Sequence, residues 1–240
     1  MSLETPDRPI AVEYPASDGK PMAETDVHRQ LMSDLIFELS NFFKDEADVY
    51  VSGNLLLYYV EGNPGKRVAP DVFVARGVGN GARRVYKLWE ERAAPDVVIE
   101  LSSRQTWHED VDEKFELYQE LGIKEYFLFD PEYDYLIDSL VGYRLKEGRY
   151  SPIHVKGGRV LSESLGLELV DTGQTLRIVD PRSGMMLPTP DELAEARLRA
   201  EEAGRLDREA RIRAETEIAR LREELESLKH PDSPNRSPEE

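Results

Sequence analysis

The sequence has no cysteine, only four histidines and two tryptophans, and no apolar run near the roughly 20 residues that a membrane-spanning helix needs. Without cysteine there are no disulfides, no thiolate metal site and no cysteine nucleophile, which fits a reducing compartment. With so few histidines, any metal chemistry has to rest on oxygen ligands. The opening MSLETPDRPIAVEYP carries prolines and acids where a secretory signal needs a basic start and an apolar stretch. These absences predict a soluble, cytoplasmic protein with no membrane partner.

Positive charge is also scarce. The net charge is −17. Residues 190–240 hold 10 basic and 15 acidic side chains, net −5, so −12 remains on residues 1–189. An acidic field of that size opposes nonspecific nucleic-acid binding, which depends on phosphate neutralisation by Lys and Arg. A nucleic-acid partner therefore requires a local basic face or divalent cations. Lys66/Arg67, Arg83/Arg84/Lys87 and Arg144/Lys146/Arg149 are the clusters available for such a face, although each taken alone reads as solubilising charge.

Periodicity organises what is present. Residues 1–22 contain four prolines and little pattern, and read as an N-terminal arm. From Thr25 or Asp26, Val27, Leu31, Leu35, Leu39 and Phe42 recur at three and four, predicting an amphipathic helix. VYVSGNLLLYYV (49–60) predicts a strand with a glycine bend, and VAPDVFVAR (68–76) and PDVVIELSS (95–103) predict buried strands. A second helix carries Val111, Phe115, Leu117, Tyr118 and Leu121 up to Gly122, and EYFLFD (125–130) is the next strand. Hairpins are expected over 135–179. Beyond Pro188 and Pro190 an Ala/Glu/Arg/Leu-rich segment predicts one long helix, with Ala203, Leu206, Ala210, Ala214, Ile218, Leu221, Leu225 and Leu228 as a weak coiled-coil seam. The expected organisation is an arm (1–22), one domain (23–188), a helical extension (189–229) and a disordered tail (230–240).

Two acids interrupt the apolar strands. Glu100 alternates with apolar neighbours in VVIELS and shares a face with Val98, where an unpaired carboxylate is costly. Alone, it reads as a structural ion pair or strand-end acid. Asp71 in APDVFV, beside a second apolar strand, changes that reading, because two acids on successive strands can share a divalent cation. Asp96 lies four residues from Glu100, about 13 Å along a strand, and reads as a strand cap. On the following helix Asp110, Lys114 and Tyr118 recur at i, i+4 and i+8, so a helix packed across the sheet can aim Lys114 at the acids. Alone, Lys114 reads as a surface lysine paired with Asp110.

The α-β-β-β-α-β order, with Pro-Asp at 70–71, Glu100 on the following strand and a nearby lysine, resembles the PD-(D/E)XK nuclease fold. The segments MAETDVHRQLM, YVSGNLLLYYVEGNPGKRVAPDVFV, YKLWEERAAPDVVIELSS, DEKFELYQELGIKEYFLFDP and LGLEL, covering about residues 22–170, together resemble the Uma2 (DUF820) family of restriction-endonuclease-like proteins. The resemblance implies a mixed α/β (α+β) fold with flanking helices and a DNA endonuclease dependent on Mg2+ or Mn2+. It implies Asp71 and Glu100 as metal ligands and Lys114 as the group that orients water and stabilises charge. The superfamily's lysine falls two residues after its glutamate, where this chain has Ser102, so the lysine role passes to the helix and Ser102 stays a candidate. His28 matches a histidine frequent in the family; its other reading is a histidine packed between helix and sheet. Trp107 and His108, between Glu100 and the helix, are substrate-contact candidates or loop decoration.

Two rival readings accompany this one. The same fold with an unused site would be a binding module that self-associates into a homo-oligomer through its C-terminal helix. GVGNGA (77–82) satisfies the glycine spacing of a dinucleotide-binding turn, with Glu100 about 20 residues on. That motif needs a strand before it and a helix after it, whereas Val85, Tyr86, Leu88 and Trp89 fit a β segment equally well.

Overall fold

The computed structural model describes residues 12–17, 25–104 and 106–229. The expected disordered tail lies outside them. The chain divides into two compact units, Met1–Pro190 and Asp191–Glu240.

In the first unit, α1 spans Asp26–Phe42, and the Thr25 side chain caps it by accepting the His28 amide hydrogen at 3.2 Å. Five strands follow: β1 (Val49–Ser52), β2 (Leu57–Tyr58), β3 (Arg67–Val68), β4 (Val72–Arg76) and β5 (Tyr86–Lys87). The short α2 (Leu88–Glu91) leads to β6 (Val97–Leu101), α3 (Trp107–Val111), α4 (Glu113–Glu120) and β7 (Glu125–Phe129). Six further strands are β8 (Leu140–Lys146), β9 (Arg149–Ile153), β10 (Arg159–Ser162), β11 (Leu167–Asp171), β12 (Leu176–Asp180) and β13 (Met185–Met186).

A mixed six-stranded sheet, ordered β1-β4-β6-β7-β8-β9, forms the centre. Its β6–β7 pair is parallel, which requires the crossover that α3 and α4 supply. Both faces of this sheet are covered, and that explains the unbroken apolar runs of its inner strands. Val97, Ile99 and Leu101 pack with Leu31, Leu35 and Leu39 of α1 and with the four-stranded sheet β10-β11-β12-β13. Val98, Phe73, Tyr126 and Leu128 pack on the other side with Tyr118 of α4 and with Leu57 and Tyr86 of the small sheet β3-β2-β5. The expected order of helix, three strands, helix and strand survives as α1, β1, β4, β6, α4 and β7. This is a mixed α+β fold.

Several expectations change in detail. The run 49–60 splits into β1 and β2, which join different sheets. The helix expected from Asp110 to Leu121 breaks at Asp112 (φ −107°, ψ −72°), so α3 and α4 are separate, and α3 takes in Trp107 and His108, which were expected in the loop before it. Residues 135–139 are loop, not strand, because the Asp130 carboxylate accepts the main-chain hydrogens of Glu132, Tyr133, Tyr135 and Leu136. Within the N-terminal arm, Tyr14 packs its ring 5.1 Å from Tyr58 and 5.2 Å from Trp89, so the described stretch 12–17 is docked on the small sheet. Among the described residues no helix is long and apolar enough to cross a membrane.

The described residues of the second unit all belong to α5 (Pro190–Lys229), a helix of forty residues with none buried. Arg–Glu pairs four apart, such as Arg205–Glu209 at 2.7 Å and Arg211–Glu215 at 2.8 Å, line it. Each such exposed pair contributes about 0.3–0.5 kcal/mol.

Gly53, just after β1, fixes where Asp71 sits. The Asn54 amide donates to the Pro70 carbonyl at 2.8 Å, and a Cβ on Gly53 would overlap the Asp71 carbonyl oxygen and come within 2.6 Å of Ile36 Cδ1. Main chain cannot yield as a flexible side chain does. Gly53→Ala should therefore cost about 1–3 kcal/mol, read as a lower urea midpoint. An unchanged midpoint would mean that this close approach constrains nothing.

Candidate active site

The acids meet where the β4–β6 ladder ends. Val72 pairs with Ile99 in antiparallel register, and one further step sets Asp71 opposite Glu100 on the same face of the sheet. At that point side chains replace main-chain partners. The Asp71 amide donates to Glu100 Oε2 at 3.2 Å, and the Leu101 amide donates to Asp71 Oδ2 at 2.8 Å. Each carboxylate thus holds the other strand's main chain.

Groups from both faces converge on the pair. Lys114 Nζ of α4 lies 3.1 Å from Glu100 Oε2 and 2.8 Å from Asp110 Oδ1. Tyr118, one turn further on, donates its hydroxyl to Glu100 Oε1 at 2.6 Å. Asp110, Lys114 and Tyr118 therefore point inward, while Val111 of the expected apolar stripe is exposed. From α1, His28 Nε2 lies 2.9 Å from the Leu101 carbonyl oxygen and 3.3 Å from Asp71 Oδ2. A carbonyl oxygen only accepts, so Nε2 carries the hydrogen.

Lys114 touches Glu100 and Asp110 directly and feels the charge of Asp71, so three carboxyls share one ammonium, a net charge of −2 on these four groups when every acid is ionised. Their acidities shift in different directions. Burial pushes the Glu100 carboxyl well above its ordinary value, with Lys114 opposing and the charges of Asp71 and Asp110 adding to the rise. Burial likewise raises Asp110 against the pull of Lys114. Asp71 is also pushed up by burial, but the His28 hydrogen bond, the Lys114 charge and the Leu101 amide outweigh this and hold it below the usual value. Lys114 loses basicity to burial and regains more from the facing carboxylates, so it stays charged. Desolvation, rather than repulsion between the acids, is the largest influence on Glu100.

The donors available to a cation are all oxygen, the Asp71 and Glu100 carboxylates, since the neighbouring Leu101 carbonyl already accepts from His28. The Asp71 side chain keeps 16 % of its surface exposed while Glu100 keeps none, so Asp71 forms the open side. Among the described residues, no group of three His, Cys, Asp or Glu is arranged to hold a metal. Two carboxylates nevertheless suffice for a magnesium-sized ion, which commonly takes one or two of them and keeps several waters. The donor set fits such an ion.

Other expected residues fall elsewhere. Ser102 is fully buried on the same strand face as Glu100, and its hydroxyl has no partner among the described residues. Asp96 accepts from the Arg76 amide at 2.7 Å and pairs with Lys124, outside the acid cluster. Trp107 and His108 stack on each other at 3.4 Å between centroids on α3. The segment 77–82 follows β4 but opens no helix, so it lacks the context of a dinucleotide-binding turn. Of the basic clusters, Arg83 is tied to Glu91, Lys87 to Glu90 and Arg144 to Glu125 and Glu163, while Lys66, Arg84, Lys146 and Arg149 are exposed. Tyr118 as a hydrogen-bond donor, Asp110 as a third inward acid and Gly53 as the support beneath Asp71 were not readable as site residues. The i, i+4, i+8 spacing was the signal for the first two.

No curated protein matches the chain. A crystal structure from Anabaena variabilis ATCC 29413, described as a putative nuclease belonging to DUF820, is 18% identical, with 61% of this chain and 76% of that chain covered and a TM-score of 0.45. Residues 2–176 match the model of the Uma2 family, described as "Putative restriction endonuclease". That match spans well over half of the sequence, and the chain belongs to the Uma2 family.

Proposed function

We propose that the protein is a divalent-cation-dependent endonuclease that hydrolyses DNA phosphodiester bonds, with Asp71 and Glu100 holding magnesium or manganese. The observation that carries this reading is the cross-strand placement of the two acids, with the Lys114 ammonium 3.1 Å from Glu100. A bound ion there supplies positive charge against the phosphate and acidifies the attacking water. Asp71, on the open side, presents its carboxylate to the ion. Glu100 is held in orientation by Tyr118. Lys114, kept charged by its acid neighbours, orients water and offsets negative charge developing on the phosphate. His28 holds Asp71 from the opposite face of the sheet.

Nucleic acid as substrate follows from family membership, and an acidic chain approaching a polyanion is helped by the same cations. The binding-module reading is favoured by one observation, the complete burial of Glu100 among ready partners. Nicking of plasmid and single-stranded DNA with magnesium or manganese separates the two. Wild type should cleave, Asp71→Asn and Glu100→Gln should abolish cleavage, and Lys114→Met should slow it about 100-fold. A wild-type protein inert on both substrates with both metals would favour the binding module. Cleavage unchanged in Glu100→Gln would place the site elsewhere.

The acid cluster also sets a pH signature. A carboxyl with a raised folded pKa binds its proton more readily in the folded than in the unfolded chain. Stability of the metal-free protein should therefore fall as pH climbs from the ordinary glutamate value of about 4.3 toward the raised Glu100 value. Asp71, held low, acts only in the acid range: its contribution is present above the unfolded aspartate value and is lost as pH falls through the folded one. Magnesium should restore stability by an amount that grows with pH, since it binds the folded, ionised pair. Thermal melts across pH should show both effects in wild type and neither the Glu100 decline nor the metal response in Glu100→Gln. An equal metal response in wild type and Glu100→Gln would make the acids structural.

A further inference from the structure

Helix α5 exposes Ile218, Leu221, Leu225 and Leu228, each at least 46 % accessible, on an element with no buried residue. Their separations of three, four and three are those of heptad positions a and d: Ile218 and Leu225 at a, Leu221 and Leu228 at d. Large aliphatics repeated at this spacing on a fully solvated helix are an unburied seam.

The flanking charges say what covers the seam. The same frame puts Glu217 and Glu224 at g, and Arg222 and Lys229 at e. In a parallel, in-register pair each g residue faces the next e residue of the other helix, so Glu217 meets the partner's Arg222 and Glu224 meets the partner's Lys229. In an antiparallel pair g faces g and e faces e. Glutamate would then oppose glutamate, and the basic residues would oppose one another. Within one chain Glu224 bonds to Arg220 at 3.0 Å and Glu217 lies 3.6 Å from the same arginine. Both contacts are exposed, so the glutamates exchange partners at little cost.

We propose that α5 docks a second copy of this chain, forming a parallel two-stranded coiled coil over residues 217–229. β-Branched isoleucine at one a position with leucine at both d positions favours two strands. The frame explains the extent of the pairing. Traced upstream it meets Arg211 and Gly204 at a and Asp207 at d, and the apolar stripe leaves the seam, with Ala203 and Ala210 at g and the exposed Leu206 at c, so that Ala214 is the last apolar residue at a d position. Two heptads therefore carry the association, which is reversible and concentration-dependent. Parallel pairing sets both Pro190 attachment points at the same end of the coil. The inference is independent of any nuclease activity.

Sedimentation equilibrium of the full chain over a concentration series tests it. Wild type should show monomer and dimer in exchange, and Leu221→Lys/Leu225→Lys should be monomeric throughout. Charge supplies the second arm. Glu217→Lys/Glu224→Lys should lose self-association and regain dimer on mixing with Arg222→Glu/Lys229→Glu. Since the chain has no native cysteine, Leu228→Cys reports orientation by forming a disulfide-linked dimer on oxidation. A wild type that stays monomeric to its solubility limit, a dimer that survives Leu221→Lys/Leu225→Lys, or a dimer that Leu228→Cys cannot cross-link would each overturn the proposal.

Discussion

Everything around the site depends on one constraint: Glu100 is a carboxylate at the end of a central strand that is buried on both faces. A carboxylate in that position is tolerable only if its oxygens are engaged and its charge is answered. Three elements do so. β4 brings the Asp71 amide, α4 brings the Lys114 ammonium and the Tyr118 hydroxyl, and Asp71 itself closes the ladder by taking the Leu101 amide. The position of β4 depends in turn on Gly53, whose missing Cβ lets the Pro70–Asp71 main chain come close.

The two-sided sheet explains why the site draws on both layers. α1 lies on the face of Ile99 and Leu101, and α4 on the face of Val98 and Glu100. Only at the strand ends can side chains from the two layers reach a common point, which is where His28 and Lys114 approach the acids. Asp110 of α3 and Lys114 of α4 pair across the break at Asp112. The result is a cluster with three carboxyl groups and one ammonium.

Much of this was legible in the residues because it is periodic or local. The helix cap at Thr25, the buried runs around Asp71 and Glu100, and the shared helical face of Asp110, Lys114 and Tyr118 all follow from spacing, whereas the site roles of Asp110 and Tyr118 do not. What was not legible depends on partners distant in the chain. The splitting of 49–60 into two sheets is set by packing of Leu57 against Tyr86 and Phe73 rather than by propensity. The Glu100–Tyr118 hydrogen bond needs the register of a parallel crossover, and the loop over 135–139 needs the Asp130 carboxylate as an organiser. The basic clusters misled in another way, since Arg83 and Arg144 are consumed by intramolecular acids that no local pattern identifies.

The central claim is that Asp71 and Glu100 together hold a divalent cation. Anomalous diffraction from crystals grown with manganese tests it most directly. The account predicts one strong peak within coordination distance of both carboxylates, about 2.0–2.3 Å, with the Glu100 oxygen drawn away from Lys114 toward the ion. The absence of any peak there at saturating manganese, with Glu100 still paired to Lys114 and Asp71 still beside His28, would contradict it.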